Sequence, residues 1–371
     1  MKIAIDARGI NLYKGTGIGT YTQNVLKNIL DMNTSSFYNI YWYGENYKFY
    51  EQENTKIIMT SKKHRRFFEY NYFPNNLNKD SVDIYHIPQN GMGMNLNIPC
   101  KKVCTIHDLI PYTLPETVGK GYLKNFLKTM PEIVELSDGI ITVSEYSKKD
   151  ILKFFPQLSP DNIFVTPLAA DSIFTPLNKD ECMLKVKNKY SITKPFILYI
   201  GGFSARKNVE TLINAFKNSL SELKEEHELV IVGSLKDEGE ILYKKVIDMH
   251  LTNIKFIGFV EDNMLPILYN SCRAFIYPSL YEGFGLPPLE AMSCGTPVIT
   301  SNTTSIPEVV QDAGILINPH NEEELTRALI NLLNNRELRE VLRNRGLKRS
   351  KEFSWKATAE KTYCAYEKIS N

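Results

Sequence analysis

Short runs of apolar residues, many of them β-branched or aromatic, alternate along the chain with longer stretches whose apolar positions recur at helical spacing. In the first half the runs at residues 3–6, 39–43, 56–59, 83–87, 103–106, 139–143 and 163–166 predict strands, and the patterns at 19–32, 122–136 and 145–155 predict amphipathic helices. A break follows from Pro167 to Leu177. The alternation then restarts, with strands predicted at 196–200, 229–232, 255–257, 274–277, 297–300 and 314–317, and helices at 209–220, 239–250, 263–269, 288–293 and 322–333. Near-continuous apolar strands separated by helices are the mark of βαβ units and parallel sheets buried on both faces. The expected fold class is therefore α/β, with two doubly wound domains: residues 1–172 and 178–354, joined by a linker near 170–178. In such sheets ligands bind beyond the carboxyl ends of the strands, so unusual residues at those ends are the candidates for chemistry.

Length agrees with two domains, because 371 residues exceed the roughly 250–300 that one hydrophobic core usually spans. A formal net charge of +2 gives no reason to expect nucleic-acid binding. The opening MKIAIDARGI runs into a strand and meets Asp6 and Arg8, unlike a secretory leader. No apolar run approaches the roughly 20 residues that span a bilayer, and a cytoplasmic protein is expected. The six cysteines are scattered without a CxxC pair, the pattern of free thiols in a reducing compartment.

Four features sit at predicted strand ends. The first is YPSLYEGFGLPPLEAMSCG, from Tyr277 to Gly295. Gly283 and Gly285 let backbone N–H groups approach a bound group closely, and the helix start at Leu286–Leu289 offers unsatisfied donors and a positive dipole end to a phosphate. Glu290 can accept from both hydroxyls of a ribose diol; Glu282 lies on the loop. The second is LYIGGFSARKN, where Arg206 and Lys207 follow the turn at Gly202: a fork and a point charge suited to a diphosphate. The third is TIHDLIP, with His107 at a strand end beside Asp108, an acid placed to fix its tautomer. The fourth is GTGIG, whose Gly15, Gly17 and Gly19 form either a phosphate- or acceptor-facing loop or a plain turn. The acid that a dinucleotide ribose needs about 20 residues on has no strand-end candidate, which disfavours a dehydrogenase. No two aspartates are separated by a single residue, and no HxH or HExxH spacing occurs, so no metal site is expected.

Together these features resemble the group 1 family of retaining glycosyltransferases with the GT-B fold, over essentially the whole chain. KIAIDARGI and TIHDLIP look like its mannosyltransferase-B-like branch, which builds bacterial polysaccharides. The resemblance implies two Rossmann-like domains facing across a cleft and a final helix, 355–371, returning to the N-terminal domain, packed by Trp355, Tyr363 and Tyr366. It implies that Glu282 lies beside the donor sugar and that Glu290 binds ribose. Arg206 and Lys207 would hold the diphosphate, with Gly202, Ser204, Gly283, Phe284, Gly285 and Leu286 completing the site. Phe259 and Val260 would lie near the base, His107 under the sugar, and the Gly17–Gly19 loop over the donor phosphate.

The implied activity is hexosyl transfer, with GDP-mannose as donor, no cofactor, and a glycan or lipid-linked saccharide as acceptor. A dTDP- or UDP-linked rhamnose, glucose or N-acetylglucosamine is the alternative donor; an epimerase or phosphorylase of the same fold, and a non-catalytic sugar-nucleotide-binding subunit, are the rival classes. Retention requires either two displacements through a carboxylate or front-face attack, and front-face transfer is expected because Glu282 is the only candidate nucleophile and its expected task is hydroxyl binding. Finally, Lys62, Lys63, Arg65 and Arg66 precede Phe67, Phe68, Tyr70, Tyr72 and Phe73. Within residues 62–73 this pattern suits either peripheral contact with an anionic bilayer on the inner face of the plasma membrane or a solvated loop leading into a packed helix.

Overall fold

The structure is a computed structural model describing residues 1–371. By internal contacts it divides into two units, Met1–Leu168 with Ser354–Asn371, and Ala169–Phe353. The segment bounded by Pro167 and Pro176 belongs mostly to the second unit. Its backbone bonds there: Leu177 N–H donates to Asn270 Oδ1 at 2.8 Å, and Asn270 Nδ2 donates to the Thr175 carbonyl at 3.0 Å.

The first unit holds seven parallel strands: β1 (Lys2–Asp6), β2 (Phe37–Trp42), β3 (Thr55–Met59), β4 (Ile84–Ile87), β5 (Lys101–Ile106), β6 (Gly139–Thr142) and β7 (Ile163–Val165), in the order 3-2-1-4-5-6-7. The second holds six: β8 (Phe196–Ile200), β9 (Glu228–Val232), β10 (Ile254–Gly258), β11 (Ala274–Tyr277), β12 (Val298–Ser301) and β13 (Ile315–Ile317), in the order 10-9-8-11-12-13. All inner strands are buried along nearly their whole length, which is why they read as apolar runs rather than alternating ones. Each order reverses once, between β1 and β4 and between β8 and β11. At such a switch neighbouring connections leave on opposite faces and open a crevice beyond the carboxyl ends.

Helix Gly17–Leu30 turns Tyr21, Val25, Leu26 and Ile29 into the first core. Gly17 and Gly19 are therefore not loop residues, as the glycine pattern suggested. They form the first helical turn, capped by Thr16, whose Oγ1 accepts from Gly19 N–H at 3.4 Å, and only Gly15 (φ +77°) needs left-handed freedom. A Cβ on Gly19 would lie 2.3 Å from the Tyr13 carbonyl oxygen, so close packing of the preceding turn fixes that glycine.

Helix Trp355–Ser370 returns to the first unit. Ser354 Oγ caps it by accepting from Ala357 N–H at 3.1 Å, the Tyr363 and Ser36 hydroxyls lie 2.8 Å apart, and Ile369 sits over Gly139, where a Cβ would approach within 2.3 Å. The packed helix allowed for after the basic-aromatic segment is Phe73–Lys79, whereas helices Lys179–Tyr190 and Arg336–Ser350 had no clear sequence signal. The latter two bury few residues each, so their apolar periodicity is weak.

Candidate functional site

Both units gather their unusual residues at carboxyl strand ends. In the second unit β8 ends at Ile200, and a short turn brings Arg206 and Lys207 beside the loop that follows β11. Backbone and side-chain bonds lock the two loops together. Leu280 N–H donates to the Arg206 carbonyl at 2.7 Å, and Asn208, held at φ +57°, donates through Nδ2 to the carbonyls of Pro278 and Pro319 at 3.1 and 2.7 Å.

Glu282 is the centre of this junction, with its side chain 13% exposed. Its Oε1 accepts from Lys207 Nζ at 2.7 Å, Arg206 Nη1 at 3.1 Å and the Tyr277 hydroxyl at 3.0 Å. Lys207 also donates to that hydroxyl and sits 4.8 Å over the Tyr277 ring. Burial alone would raise the Glu282 carboxyl, but Lys207 and Arg206 outweigh it and hold the carboxyl below its usual range. The backbone around it is equally fixed: Thr304 Oγ1 accepts from Glu282 N–H at 3.2 Å, and Ser305 Oγ bonds the Glu282 and Phe284 carbonyls at 2.8 and 2.7 Å. Gly285 (φ +127°) then turns the chain into helix Leu286–Ser293.

Glu290 is on the second turn of that helix rather than at its start. Its Oε2 accepts from the Tyr269 hydroxyl at 3.0 Å. Burial pushes its carboxyl up to about 8, so it carries a proton through much of the neutral range while no ligand is bound. The two glutamates, alike in sequence, are thus in opposite states. Gly202 has open space where a Cβ would point, and Ser204 precedes the Ala205–Lys207 turn. After β10, Phe259 is 75% exposed while Val260 is buried, so of this pair only Phe259 presents a free ring.

In the first unit His107 follows β5 and is buried. Its tautomer is not set by Asp108, as the sequence suggested. His107 Nε2–H donates to the Pro88 carbonyl at 2.9 Å, its backbone N–H donates to Asn90 Oδ1 at 3.0 Å, and Asp108 Oδ1 accepts from Ile110 N–H at 3.1 Å. A carbonyl partner demands a donor at Nε2, which leaves Nδ1 as the acceptor. Burial pushes the imidazole down to about 4, so His107 is neutral at physiological pH.

The His107 ring stands edge-on to Tyr21, with centroids 4.8 Å apart. Behind Tyr21 runs a buried polar chain. The Tyr21 hydroxyl is 3.0 Å from Thr105 Oγ1, which is 2.8 Å from His86 Nε2, and His86 Nδ1 is 2.6 Å from the Tyr366 hydroxyl on the returning helix. Sequence reasoning missed Tyr21, His86, Thr105, Tyr277, Tyr269, Thr304 and Asn208, because hydroxyls and amides in apolar runs carry no spacing signature. For Tyr277 a signal existed: it is the last strand residue before the glycine turn.

No group of histidine, cysteine and carboxylate side chains is arranged to hold a metal ion, and all six cysteines are unpaired. No helix is long and apolar enough to cross a membrane.

Residues 184–349 match the family described as Glycosyl transferases group 1. The chain is 36% identical over 286 residues to O-antigen chain mannosyltransferase B of Escherichia coli, covering 76% of this chain and 74% of that protein. It is 32% identical over 268 residues to the serotype-specific mannosyltransferase WbdA of Escherichia coli, there spanning 71% of this chain but only 33% of that longer relative. Among solved structures, a sucrose-phosphate synthase from Thermosynechococcus elongatus superposes with a TM-score of 0.75 over 100% of this chain and 99% of its own, at 19% identity. That likeness carries the GT-B fold across low sequence similarity. With this fold, with the arginine–lysine turn and the glutamate-bearing glycine loop meeting at one switch point, and with the extent of these matches, the chain belongs to the group 1 family of glycosyltransferases.

Proposed function

We propose that this enzyme transfers mannose from GDP-mannose to a growing saccharide of a bacterial cell-surface polysaccharide, with retention of anomeric configuration and without a metal ion. One observation carries the reading. Two cations, Arg206 and Lys207, are held rigidly beside a glycine turn and a helix start at the switch point of the second sheet, where a sugar-nucleotide pyrophosphate would need positive charge. Their charge supplies what a divalent ion would otherwise bring, and preorganised donors of this kind are worth about 3–4 kcal/mol each in a dry site.

In this reading the bond from the anomeric carbon to the diphosphate oxygen breaks. The acceptor oxygen bonds the same face of that carbon, and its proton passes to the leaving phosphate oxygen. Glu282 supports front-face transfer: an oxygen that already accepts from two cations and a phenol is a weak nucleophile. It orients the cations and bonds donor-sugar hydroxyls. Glu290 binds the ribose diol, and neutral His107 serves the sugar through its acceptor Nδ1 or its ring edge. No bound cofactor is required. The mannosyl assignment follows the Escherichia coli relatives named above.

The test is nucleotide release from GDP-mannose, UDP-glucose, UDP-N-acetylglucosamine and dTDP-rhamnose, each with and without EDTA. Acceptor-dependent GDP release that EDTA leaves unchanged is expected. Release from a UDP or dTDP sugar alone would replace the donor, loss of activity on chelation would end the metal-free mechanism, and binding without turnover of any donor would favour a non-catalytic subunit.

A lipid-linked acceptor and a peripheral position at the inner face of the plasma membrane belong to the same proposal. Phe67, Tyr70 and Tyr72 are 54%, 47% and 37% exposed, next to exposed Lys62, Lys63 and Arg66. Arg65 is different: it pairs with buried Glu69 at 2.8 Å, which also takes Arg8 at 3.0 Å. Flotation with phosphatidylglycerol vesicles should weaken when Lys62, Lys63 and Arg66 are neutralised; unchanged flotation would remove this contact.

A further inference from the structure

The opposite edge of the second sheet holds a separate concentration of charge. Arg273 immediately precedes β11, and residues 295–297 immediately precede β12, so this edge carries the amino ends of the strands. A cavity of about 550 Å3 opens there, lined by Lys179, Arg273, Arg336, Arg339 and Arg343, with Glu340 as the one carboxylate among them. Five cations against one anion is a different balance from the chain as a whole, where 44 lysines and arginines face 42 acids.

The fold does not neutralise this charge. Arg339 Nη1 donates to the carbonyls of Leu332 and Leu333, closing the end of helix Glu322–Asn334, and Arg343 Nη1 donates to the Gly295 carbonyl at 3.2 Å. Carbonyls satisfy N–H groups but cancel no charge. Arg273 reaches only the half-exposed Glu225, at 3.8 Å, while Lys179, Arg336, Arg339 and Arg343 make no ion pair. The groups also act on one another: burial, then Arg273, Arg343 and Arg339, push the Lys179 ammonium below its usual range. Like charges gathered without counter-ions are unfavourable, and a multiply charged anion would relieve the repulsion.

We propose that this cavity is a second anion site of the protein, taking a ligand with a phosphate or diphosphate group, separate from the donor site at the carboxyl edge. Guanidinium forks match phosphate oxygens bidentately, and the volume lies within the roughly 300–1,000 Å3 of small-molecule sites. The same chemistry would accept the phosphate of a soluble metabolite or of a lipid headgroup.

The full-length protein is titrated calorimetrically with inorganic pyrophosphate, and floated with phosphatidylglycerol and with phosphatidylcholine vesicles. Three forms are compared: wild type, R273A/R336A, and R206A/K207A, which disables the donor site. The expected result is a pyrophosphate binding event that survives in R206A/K207A and weakens at least tenfold in R273A/R336A. If pyrophosphate fails but phosphatidylglycerol flotation is lost in R273A/R336A, the source is the headgroup and the site stands. If neither probe responds to R273A/R336A, or pyrophosphate binds only through Arg206 and Lys207, the site does not exist. Should R273A/R336A melt early, K179Q carries the same comparison.

Discussion

The two sheets share one strand order about one switch, yet their carboxyl edges hold opposite kinds of chemistry. In the second unit charge is concentrated: Arg206 and Lys207 converge on one oxygen of Glu282, and Tyr277 completes the set. In the first unit the end of β5 carries a buried, neutral imidazole, held by a carbonyl and an amide and backed by a chain of hydroxyls, while the charges beyond β1 are closed off in the buried Asp6–Arg8–Glu69 network. The contrast teaches that a common scaffold fixes where chemistry happens, while burial and pairing decide which kind. One edge gathers two cations on a carboxylate, and the other keeps an imidazole neutral by burying it.

That division can be broken first at its charged side. R206A/K207A should lower kcat/KM for nucleotide release by about a thousandfold or more, since each preorganised donor removed costs roughly 10²–10³; the melting temperature should also fall, because buried Glu282 loses both cationic partners, so the rate is read on the folded fraction. A loss below tenfold would mean that the cations do not hold the diphosphate. On the neutral side H107A should cost about a hundredfold in turnover with folding intact, the scale of a misplaced reacting group; wild-type turnover would remove His107 from the mechanism.

A third test separates the two glutamates by pH. Ribose hydroxyls donate to a carboxylate, so below about 8 Glu290 must lose a proton when ligand binds. Donor affinity should therefore rise with pH toward about 8, by up to about tenfold per unit, and E290Q should flatten the profile while weakening binding. A profile identical in wild type and E290Q would exclude that role. The same shift has a stability sign. A carboxyl raised from 4.5 to about 8 contributes stability that is full below 4.5 and is lost as pH rises toward about 8. His107 and His86 act in the opposite direction. Burial, joined for His86 by repulsion from His107, lowers them from 6.5 to about 4 and about 3. Their contribution is present above 6.5 and is lost as pH falls through those values, so thermal melting between pH 6.5 and 4 should decline steeply.

The smallest effect concerns the support behind His107. Y366F removes the hydroxyl bonded to His86 Nδ1 and should destabilise the protein by about 1–3 kcal/mol, the usual cost of leaving a buried polar group unpaired. Donor KM should be unaffected. A change in KM without a change in melting temperature would show that the returning helix tunes the site rather than merely anchoring the fold.

Most strands were legible because they are buried on both faces and read as apolar runs: residues 196–200 and 274–277 coincide with β8 and β11, and other boundaries shift by a residue or two. The helix at residues 336–350 was not, since it buries only Leu342 and Gly346 and shows little periodicity. Among site residues, Arg206, Lys207, Glu282 and Glu290 were found because charge at a strand end beside glycines is rare. The pairing of Glu282 with both cations, and the protonation of Glu290, were not legible, because each depends on side chains brought from other elements.

The sequence by itself determined the two α/β repeats, the loops that carry charge and the family, because backbone propensity, apolar periodicity and short motifs are local properties of the chain. Only the tertiary structure decided the protonation state of each group. It replaced Asp108 by the Pro88 carbonyl as the partner that sets the His107 tautomer, turned Gly17 and Gly19 from loop into helix, and set two similar glutamates on opposite sides of neutrality. The physical reason is that desolvation and pairing are summed over every neighbour in space, and neighbours in space are a product of folding rather than of spacing along the chain.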